Sequence, residues 1–325
     1  MGNFQGEFTP CRGGDDSFGG IENFYAIAND NGDRVGVGCR DFFFELWNLV
    51  DGTRLSRFKV AKDKYAKGIF PYIHGDGRRV LFKFTGIGEY AELWDAVNGK
   101  KIATLTSEAT KCRCNRTVYV ANGISPDGKT VAVSFAGKTF LFEAETGKLL
   151  RRLVDDELVP ETGYETTHVG IVTTLLFSRN SETLYTLSSD GIKIWEVQTG
   201  KLIRRFRDGP LKGIYALAVS PDEEIIAMGG ETERVTVWST KTGRLLWKSP
   251  DLGKEIGILN FSPDSQKILV LTATRATLWD VKNGTLLGQF PLAARERFPA
   301  ISPDWHHITL YDPKTKKIGL YEFLN

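Results

Sequence analysis

The sequence predicts an all-β fold of seven similar four-stranded antiparallel sheets, and three observations support this. An aromatic residue that ends a short apolar segment recurs seven times along the 325 residues. A glycine stands five residues after each of the first six aromatics, and that offset never varies. A second turn signal recurs upstream of the aromatics. Self-similarity at a period of about 40–50 residues is typical of repeat architectures in which each copy is one supersecondary unit.

The aromatics mark the third strand of each copy, at spacings of 47, 48, 53, 43, 41 and 42 residues. They are Trp47, Trp94, Phe142, Trp195, Trp238, Trp279 and Tyr321. The glycines that follow are Gly52, Gly99, Gly147, Gly200, Gly243 and Gly284. Glycine adopts positive φ without steric cost, so these positions favour tight hairpins into a fourth strand.

The upstream turn signal separates the first strand of each copy from the second. Its clear forms begin at Ser125, Ser220, Ser262 and Ser302 as Ser-Pro-Asp, with Ser178 heading a looser version. Residues 29–32 and 74–77 fill the same place in the first two copies. One more apolar strand fits between this turn and the aromatic, so each copy is a meander of four short strands.

A four-stranded sheet with two apolar faces must stack on copies of itself, and radial stacking in a seven-bladed β-propeller suits large aromatics on the third strands. The seventh copy lacks a fourth strand, because Tyr321 plus five residues passes residue 325. Gly2, Phe4 and Phe8 repeat the spacing of a genuine fourth strand at 147–153. We therefore expect residues 3–9 to complete blade seven, so that the ring closes without an open edge.

The predicted organisation is a single propeller domain over residues 1–325. Its parts are residues 3–9 as the fourth strand of blade seven, then 21–58, 68–106, 117–154, 168–208, 211–250, 252–292 and 295–325 as blades one to seven.

With Trp94-Asp95 and Trp279-Asp280, and Trp195-Glu196 as a close variant, the residues resemble the WD-repeat family over essentially the whole chain. That resemblance implies a structural hydrogen-bond set of His, Ser or Thr, Asp and Trp within a blade. Blade four carries the most complete set, at His168, Ser188, Asp190 and Trp195. The resemblance also implies scaffolding or recognition through rim loops, whereas the residues alone make Trp47, Trp94, Trp238 and Trp279 packing residues.

Three irregular connections between blades carry concentrated charge. Lys59, Lys62, Asp63, Lys64 and Lys67 give +3, Lys111, Arg113 and Arg116 give +3, and Asp155, Asp156, Glu157, Glu161 and Glu165 give −5. These links fit a solvated rim or a partner-binding face with tyrosine anchors. On the second interpretation the binding residues are Lys62, Lys64, Tyr65, Tyr90, Arg113, Arg116, Glu161 and Tyr164.

Other motifs predict little chemistry. Residues 86–91 match the spacing of a dinucleotide fingerprint, but a strand follows where the fingerprint needs a helix. Cys112 and Cys114 lack the second pair of ligands that zinc requires. We therefore expect no catalytic residues, cofactor or metal. Four cysteines are too few for a disulfide scaffold and favour a reducing compartment, the cytoplasm or nucleus.

The formal net charge of +2, from 42 basic and 40 acidic residues, gives no reason to expect nucleic acid or a membrane. The favoured function is a non-catalytic scaffold for a protein or peptide, working as a monomer or as a subunit of a larger complex. One alternative is a propeller enzyme with a metal or carboxylate site at the central channel. Another is a phosphoinositide or nucleic-acid binder using Arg151, Arg152, Arg204, Arg205 and Arg207, although charges that keep edge strands apart also explain those arginines.

Overall fold

The computed structural model describes most of the chain as β-strands and turns. The described residues are 4–8, 25–28, 33–39, 42–60, 68–85, 91–105, 121–135, 137–155, 172–188, 190–206, 213–291, 297–301, 305, 307–312 and 317–322. No helix long and apolar enough to cross a membrane occurs among them. The chain divides into two compact units, residues 1–117, 144–148 and 295–325, and residues 118–143 and 149–294.

The first unit contains three four-stranded antiparallel sheets. The terminal sheet holds β1 (Phe4–Phe8) with β26 (Arg297–Ile301), β27 (His307–Asp312) and β28 (Lys317–Glu322). The first sheet holds β2 (Tyr25–Ala28), β3 (Arg34–Gly38), β4 (Phe43–Asn48) and β5 (Arg54–Lys59). The second sheet holds β6 (Gly68–Ile73), β7 (Arg79–Thr85), β8 (Ala91–Asp95) and β9 (Lys100–Leu105).

The second unit contributes the strands of four more such sheets. The third sheet holds β10 (Asn122–Ile124), β11 (Thr130–Phe135), β12 (Lys138–Glu143) and β13 (Leu149–Leu153). The fourth holds β14 (Thr174–Phe177), β15 (Thr183–Ser188), β16 (Gly191–Glu196) and β17 (Leu202–Phe206). The fifth holds β18 (Ile214–Val219), β19 (Ile225–Gly230), β20 (Thr236–Ser239) and β21 (Leu245–Lys248). The sixth holds β22 (Ile256–Phe261), β23 (Lys267–Thr272), β24 (Arg275–Asp280) and β25 (Leu286–Pro291).

Strand β1 pairs antiparallel with β28, with Phe4 opposite Tyr321 and Phe8 opposite Ile318. The hydrogen-bonded order of the terminal sheet is β1-β28-β27-β26, so an amino-terminal strand occupies the outer place beside the last strand of the chain. In the other six sheets the order follows the sequence.

The six hairpin glycines all adopt positive φ, between 64° and 75°, as the sequence predicts. In the first, the Gly52 amide donates to the Asn48 carbonyl at 3.0 Å. The pairing register shifts beside the aromatic, for instance between Leu46 and Trp47. A left-handed glycine next to a register shift is the signature of a bulged hairpin, which gives the fourth strand a stronger twist.

The Ser-Pro-Asp turns share one hydrogen-bond pattern. Ser125 Oγ donates to Asp127 Oδ1 at 2.6 Å and accepts from the Thr130 amide at 2.9 Å. The carboxylate of Asp127 accepts from the Lys129 amide at 3.0 Å. The same pattern recurs with Ser178 and Asn180, Ser220 and Asp222, and Ser262 and Asp264. The serine hydroxyl and the Asp or Asn side chain together form hydrogen bonds with the polar groups of the turn, so these two side chains fix its conformation.

In the second unit these turns are tied to one another. The tie is made by a non-glycine residue with φ between 60° and 65°, whose side chain accepts from a backbone amide in the preceding turn. The three ties are Asp127 N to Ser181 Oγ at 3.0 Å, Arg179 N to Glu223 Oε1 at 2.8 Å and Asp222 N to Ser265 Oγ at 3.2 Å. The left-handed conformation is costly for these residues, and it places each side chain against the neighbouring turn.

The core lies between successive sheets within each unit. In the first unit, Phe44 meets Phe82 at 5.2 Å between ring centroids, and Phe58 stacks on Trp94 at 5.5 Å. In the second unit, Trp279 is buried with side chains of the fifth and sixth sheets, and Trp247 stacks near it. Each large aromatic buries about 150–250 Å², so these contacts supply much of the stability.

Candidate functional site

The eight residues predicted to bind a partner all lie outside the described residues, so that assignment stays a prediction. The set comprises Lys62, Lys64, Tyr65, Tyr90, Arg113, Arg116, Glu161 and Tyr164. Of the charged links, only Lys59 and Asp155 are described. Lys59 is exposed, with Nζ 5.7 Å from the Phe43 ring centroid. Asp155 is fully buried, which corrects its placement on a solvated rim.

The hydrogen-bond set of the fourth sheet differs from the expected one. Trp195 is fully buried, but its Nε1 donates to Thr186 Oγ1 at 2.9 Å rather than to Ser188. Ser188 Oγ is buried, and no described residue forms a hydrogen bond with it. The register explains this, since Trp195 pairs with Leu184, and Thr186 is its diagonal neighbour on the same face while Ser188 lies two residues further along. His168 lies outside the described residues.

The other tryptophans use different partners. Trp47 Nε1 donates to Glu45 Oε2 at 3.0 Å, and Trp94 Nε1 to Glu92 Oε2 at 2.9 Å. Trp279 Nε1 donates to Thr277 Oγ1 at 2.9 Å, whereas Trp238 Nε1 is buried without a partner. In four of the sheets the side chain two residues before the tryptophan is thus a buried polar or charged group: Glu45, Glu92, Thr236 and Thr277.

In the fourth sheet that same position holds a lysine, and it organises a buried charge cluster. Lys193 Nζ lies 2.8 Å from Asp155 Oδ2 and 2.9 Å from Asp190 Oδ2. The side chains of Lys193 and Asp155 are 1% and 0% exposed. Asp155 also receives both sides of the Arg205 fork, with Nε to Oδ2 at 3.1 Å and Nη2 to Oδ1. Asp190 thus pairs with Lys193, and its place in a hydrogen-bond set with His168 stays a prediction, because His168 lies outside the described residues.

Arg205 also carries a correction. Arginines on fourth strands were expected to act as charges that keep edges apart, but Arg205 makes a bidentate pair with a buried carboxylate. Such pairs fix the plane of the guanidinium as well as its position. The cluster thus holds Arg205 of β17 against Asp155, which lies two residues after β13.

A cavity of about 490 Å³ opens beside this cluster. It is lined by Arg152 and Val154 at the end of the third sheet, by the hairpin 199–202 and by Arg205. Three cationic side chains and no acidic one line it among the described residues, and we call it the basic pocket. Among the described residues, no group of three or more His, Cys, Asp or Glu is placed to hold a metal ion.

Comparison with known proteins supplies partial sequence matches and one full-length structural match. Residues of this chain are 29% identical over 111 residues to the eukaryotic translation initiation factor 3 subunit I of Aspergillus terreus. They are 32% identical over 119 residues to the small ribosomal subunit protein RACK1y of Oryza sativa subsp. japonica. These matches cover 33% and 36% of this chain and 32% and 35% of the relatives, so the chain matches about a third of their length. No family model matches the chain.

A chain in the crystal structure of the mitotic checkpoint complex has the same fold, with a TM-score of 0.73 at 14% identity. The superposition covers 100% of this chain and 96% of that one. The sequence relatives and this structural neighbour are WD-repeat proteins. The chain is similar to WD-repeat proteins. Its repeats are divergent, and no subfamily is assigned.

The sequence did not predict the roles of Lys193 and Asp155 or the basic pocket. One signal was available: the position two residues before the tryptophan is buried in every copy where glutamate or threonine stands there, and a lysine at a buried position requires a carboxylate partner. The partner itself comes from the preceding sheet, 38 residues earlier, and sequence spacing does not identify it.

One further difference concerns the thiols. Cys39, at the end of β3, is disulfide-bonded and 4% exposed. The count of four cysteines, too few for a disulfide scaffold, favours reduced thiols instead. A disulfide bond that fastens a strand end needs no such scaffold.

Proposed function

We propose that this chain is a non-catalytic scaffold that holds a protein or peptide partner. The observation that carries the proposal is that its sequence relatives and its structural neighbour are named as components of protein assemblies. The names of the two sequence relatives place one in a translation initiation factor and the other in the small ribosomal subunit, and the structural neighbour comes from a checkpoint complex. All three are components of protein assemblies by name, and none is named for a reaction.

The architecture behind this function is a single seven-bladed propeller closed by β1. The support for it is the pairing of β1 with β28, which gives every sheet four strands. Deletion of residues 1–10 tests it, because an open β28 edge and the loss of one strand should lower the melting temperature markedly. An unchanged melting temperature would exclude the closure.

The proposed contact surface is the set of irregular connections that contain the cations Lys62, Lys64, Arg113 and Arg116 and the anion Glu161. The test is affinity purification with mass spectrometry from cells expressing the wild type or the variant K62E/K64E/R113E/R116E. We expect the variant to lose partners that the wild type recovers.

The matched control is K241E/K282E, which reverses two exposed lysines on the regular hairpins of the fifth and sixth sheets. An identical set of partners for wild type and both variants contradicts the proposed surface. Loss of the same partners in the control contradicts it as well, since net charge would then explain the effect.

We also propose the cytoplasm as the compartment, on the strength of the translation-related names of the relatives. The disulfide bond at Cys39 is evidence against the cytoplasm, because cytoplasmic thiols are kept reduced. Alkylation of thiols in freshly lysed cells, followed by mass analysis with and without reductant, decides between them. Full alkylation of Cys39 before reduction supports the cytoplasm, and protection of Cys39 contradicts it.

A further inference from the structure

We propose that the fourth strands of sheets four to six form a docking surface for an amphipathic helix of a partner protein, whose apolar face is bordered by acidic residues. We call this surface the outer strip. Its apolar members are Ile203, Leu245, Leu246, Leu286 and Leu287. The outer strip is separate from the irregular connections of the proposed function, so that failure of either surface leaves the other intact.

The outer strip is made of apolar side chains that water reaches. Ile203 on β17 is 55% exposed, Leu246 on β21 is 47% exposed and Leu287 on β25 is 50% exposed. Each stands three residues after the hairpin glycine of its sheet. In the fifth and sixth sheets the preceding residue is also an exposed leucine, Leu245 and Leu286. Single exposed apolar residues are ordinary on a protein surface, whereas apolar residues that adjoin one another mark an interaction site.

The hairpins of successive sheets join these residues into one surface. A Cβ at Gly243 would lie 3.5 Å from Arg204 Nη1, and a Cβ at Gly284 would lie 2.8 Å from Trp247 Cδ2. Trp247 Nε1 also donates to the Val281 carbonyl at 2.7 Å. The hairpin of the fifth sheet therefore lies against β17, and the hairpin of the sixth sheet lies against β21. The apolar residues thus continue across three fourth strands.

The charge along the outer strip is positive. Residues 201–206, 244–248 and 285–290 contain no Asp or Glu. Arg205 is set aside, because its guanidinium pairs with Asp155. The remaining cations of these segments are Lys201, Arg204, Arg244 and Lys248. None of these four side chains forms an ion pair with a described residue.

This charge decides between two kinds of occupant. A partner segment with acidic borders brings carboxylates to the unpaired cations of the outer strip, and such complementarity favours the correct partner. A second copy of this chain would bring the same cations against them, and like charges brought together at an interface are unfavourable. The outer strip is therefore complementary to an acidic segment and not to itself.

The fourth strands favour a helix over an added strand. An added strand would pair with one sheet edge, whereas the outer strip crosses the edges of three sheets. β21 is only four residues long, and its pairing with β20 shifts register between Val237 and Trp238. Such a bulge increases the twist of an edge and discourages pairing with another strand. A helix instead presents apolar side chains at i, i+3, i+4 and i+7 along one face, with charged residues on both sides.

The first test uses the full chain and a fluorescent peptide of about 18 residues, long enough to be partly helical in water. Its leucines follow helical spacing on one face, glutamates border them and alanines fill the rest. One matched peptide has glutamine for every glutamate, and another has the same composition in an order that breaks the helical spacing. By anisotropy we expect the acidic amphipathic peptide to bind, and each matched peptide to bind about tenfold more weakly or not at all. Equal binding of either matched peptide overturns the proposal.

Two leucines locate the surface. The variant L246E/L287E should weaken binding of the acidic peptide by about tenfold, with an unchanged melting temperature because both side chains are half-exposed. The control is L55E, since Leu55 stands three residues after the hairpin glycine of the first sheet and is 41% exposed. Equal weakening by L55E, or none by L246E/L287E, overturns the proposal.

A charge reversal tests the acidic border without altering the apolar residues. Arg244 is exposed and directly follows the hairpin glycine of the fifth sheet, and Lys100 is exposed at the same place in the second sheet. We expect R244E to weaken the acidic peptide by about threefold to tenfold and K100E to leave it unchanged. Equal effects of the two reversals overturn the proposal.

Two further measurements distinguish other occupants. Sedimentation of the wild type over a concentration series should show no dimer that L246E/L287E abolishes, and such a dimer would assign the surface to a second copy of this chain. Vesicles of phosphatidylserine and phosphatidylcholine form the last arm. Binding to these vesicles without binding to the acidic peptide overturns the assignment to a partner helix.

Discussion

Lys193 Nζ lies 2.8 Å from Asp155 Oδ2, and the two side chains are 1% and 0% exposed. The pair joins the third-sheet segment to the third strand of the fourth sheet. Burying two charges removes their hydration, and the mutual attraction offsets that cost only while both partners remain. Removal of one partner should therefore lower the free energy of unfolding by far more than the intact pair adds to it.

Asp155→Asn is expected to lower the free energy of unfolding by about 3–5 kcal/mol, because it leaves Lys193 and Arg205 beside a neutral amide. Urea unfolding followed by tryptophan fluorescence measures this. The control is Asp251→Asn, which removes an exposed pair with Arg234 at 3.9 Å and should cost under about 1 kcal/mol. Equal effects of the two substitutions would show that burial adds nothing at Asp155.

Two hairpin glycines separate backbone strain from crowding. A Cβ at Gly284, with φ 68°, would lie 2.8 Å from Trp247 Cδ2, whereas a Cβ at Gly52, with φ 69°, meets nothing within 4 Å. Gly52→Ala should cost about 1–2 kcal/mol from the left-handed backbone alone. Gly284→Ala should cost about 1–3 kcal/mol more, because the Trp247 ring must move. If melting curves show the same loss of stability for both variants, crowding against Trp247 does not contribute.

Ser181 tests the ties between turns. Its φ of 65° is strained, and its hydroxyl accepts from the Asp127 amide. Ser181→Ala should lower the free energy of unfolding by about 0.5–1.5 kcal/mol, since the strain stays and the hydrogen bond is lost. Ser181→Gly should cost less, because relief of the strain offsets part of that loss. Both variants lack the hydroxyl, so a glycine variant more harmful than the alanine variant in thermal unfolding would contradict the strain assigned to this position, and an alanine variant as stable as the wild type would contradict the tie.

The Ser-Pro-Asp turns predict a loss of stability in acid. Burial acts to raise the pKa of Asp127, but hydrogen bonds from Ser125 and the Lys129 amide outweigh it, so the pKa lies below the ordinary value of 3.8. Hydrogen bonds from Ser262 and the Gln266 amide lower the pKa of Asp264 in the same way.

A carboxyl whose pKa is lower in the folded state contributes stability above its unfolded pKa and loses it as the pH falls through the folded pKa. We expect the urea midpoint to fall as the pH drops from about 5 to about 2.5. Asp264→Asn should make that fall less steep. Asn180 shows that asparagine can keep the turn, since it accepts from Ser178 Oγ at 2.7 Å and the Glu182 amide at 3.0 Å. An unchanged slope in the variant contradicts the assignment.

The sequence predicted the hairpins well because their determinants are local. The glycine five residues after each aromatic and the serine that heads each upstream turn act on backbone within a few residues, and both appear in the structure. The WD-repeat assignment likewise rests on short motifs such as Trp94-Asp95.

The charge cluster could not be predicted in the same way. Lys193 and Asp155 belong to different sheets, and their meeting depends on how one sheet packs against the next. Ser188 was assigned by resemblance, but the strand register gives the tryptophan hydrogen bond to Thr186. Packing between sheets decided the first outcome, and the register of one hairpin decided the second.

The ties between turns in the second unit all point the same way along the chain. In each of them the amide belongs to the earlier sheet and the acceptor to the later one: Asp127 to Ser181, Arg179 to Glu223 and Asp222 to Ser265. Unfolding of either sheet breaks the tie between them, and water then takes the place of the lost partner at the amide and at the side-chain oxygen. Opening of this run from either end should therefore break the ties one at a time, each with a similar penalty.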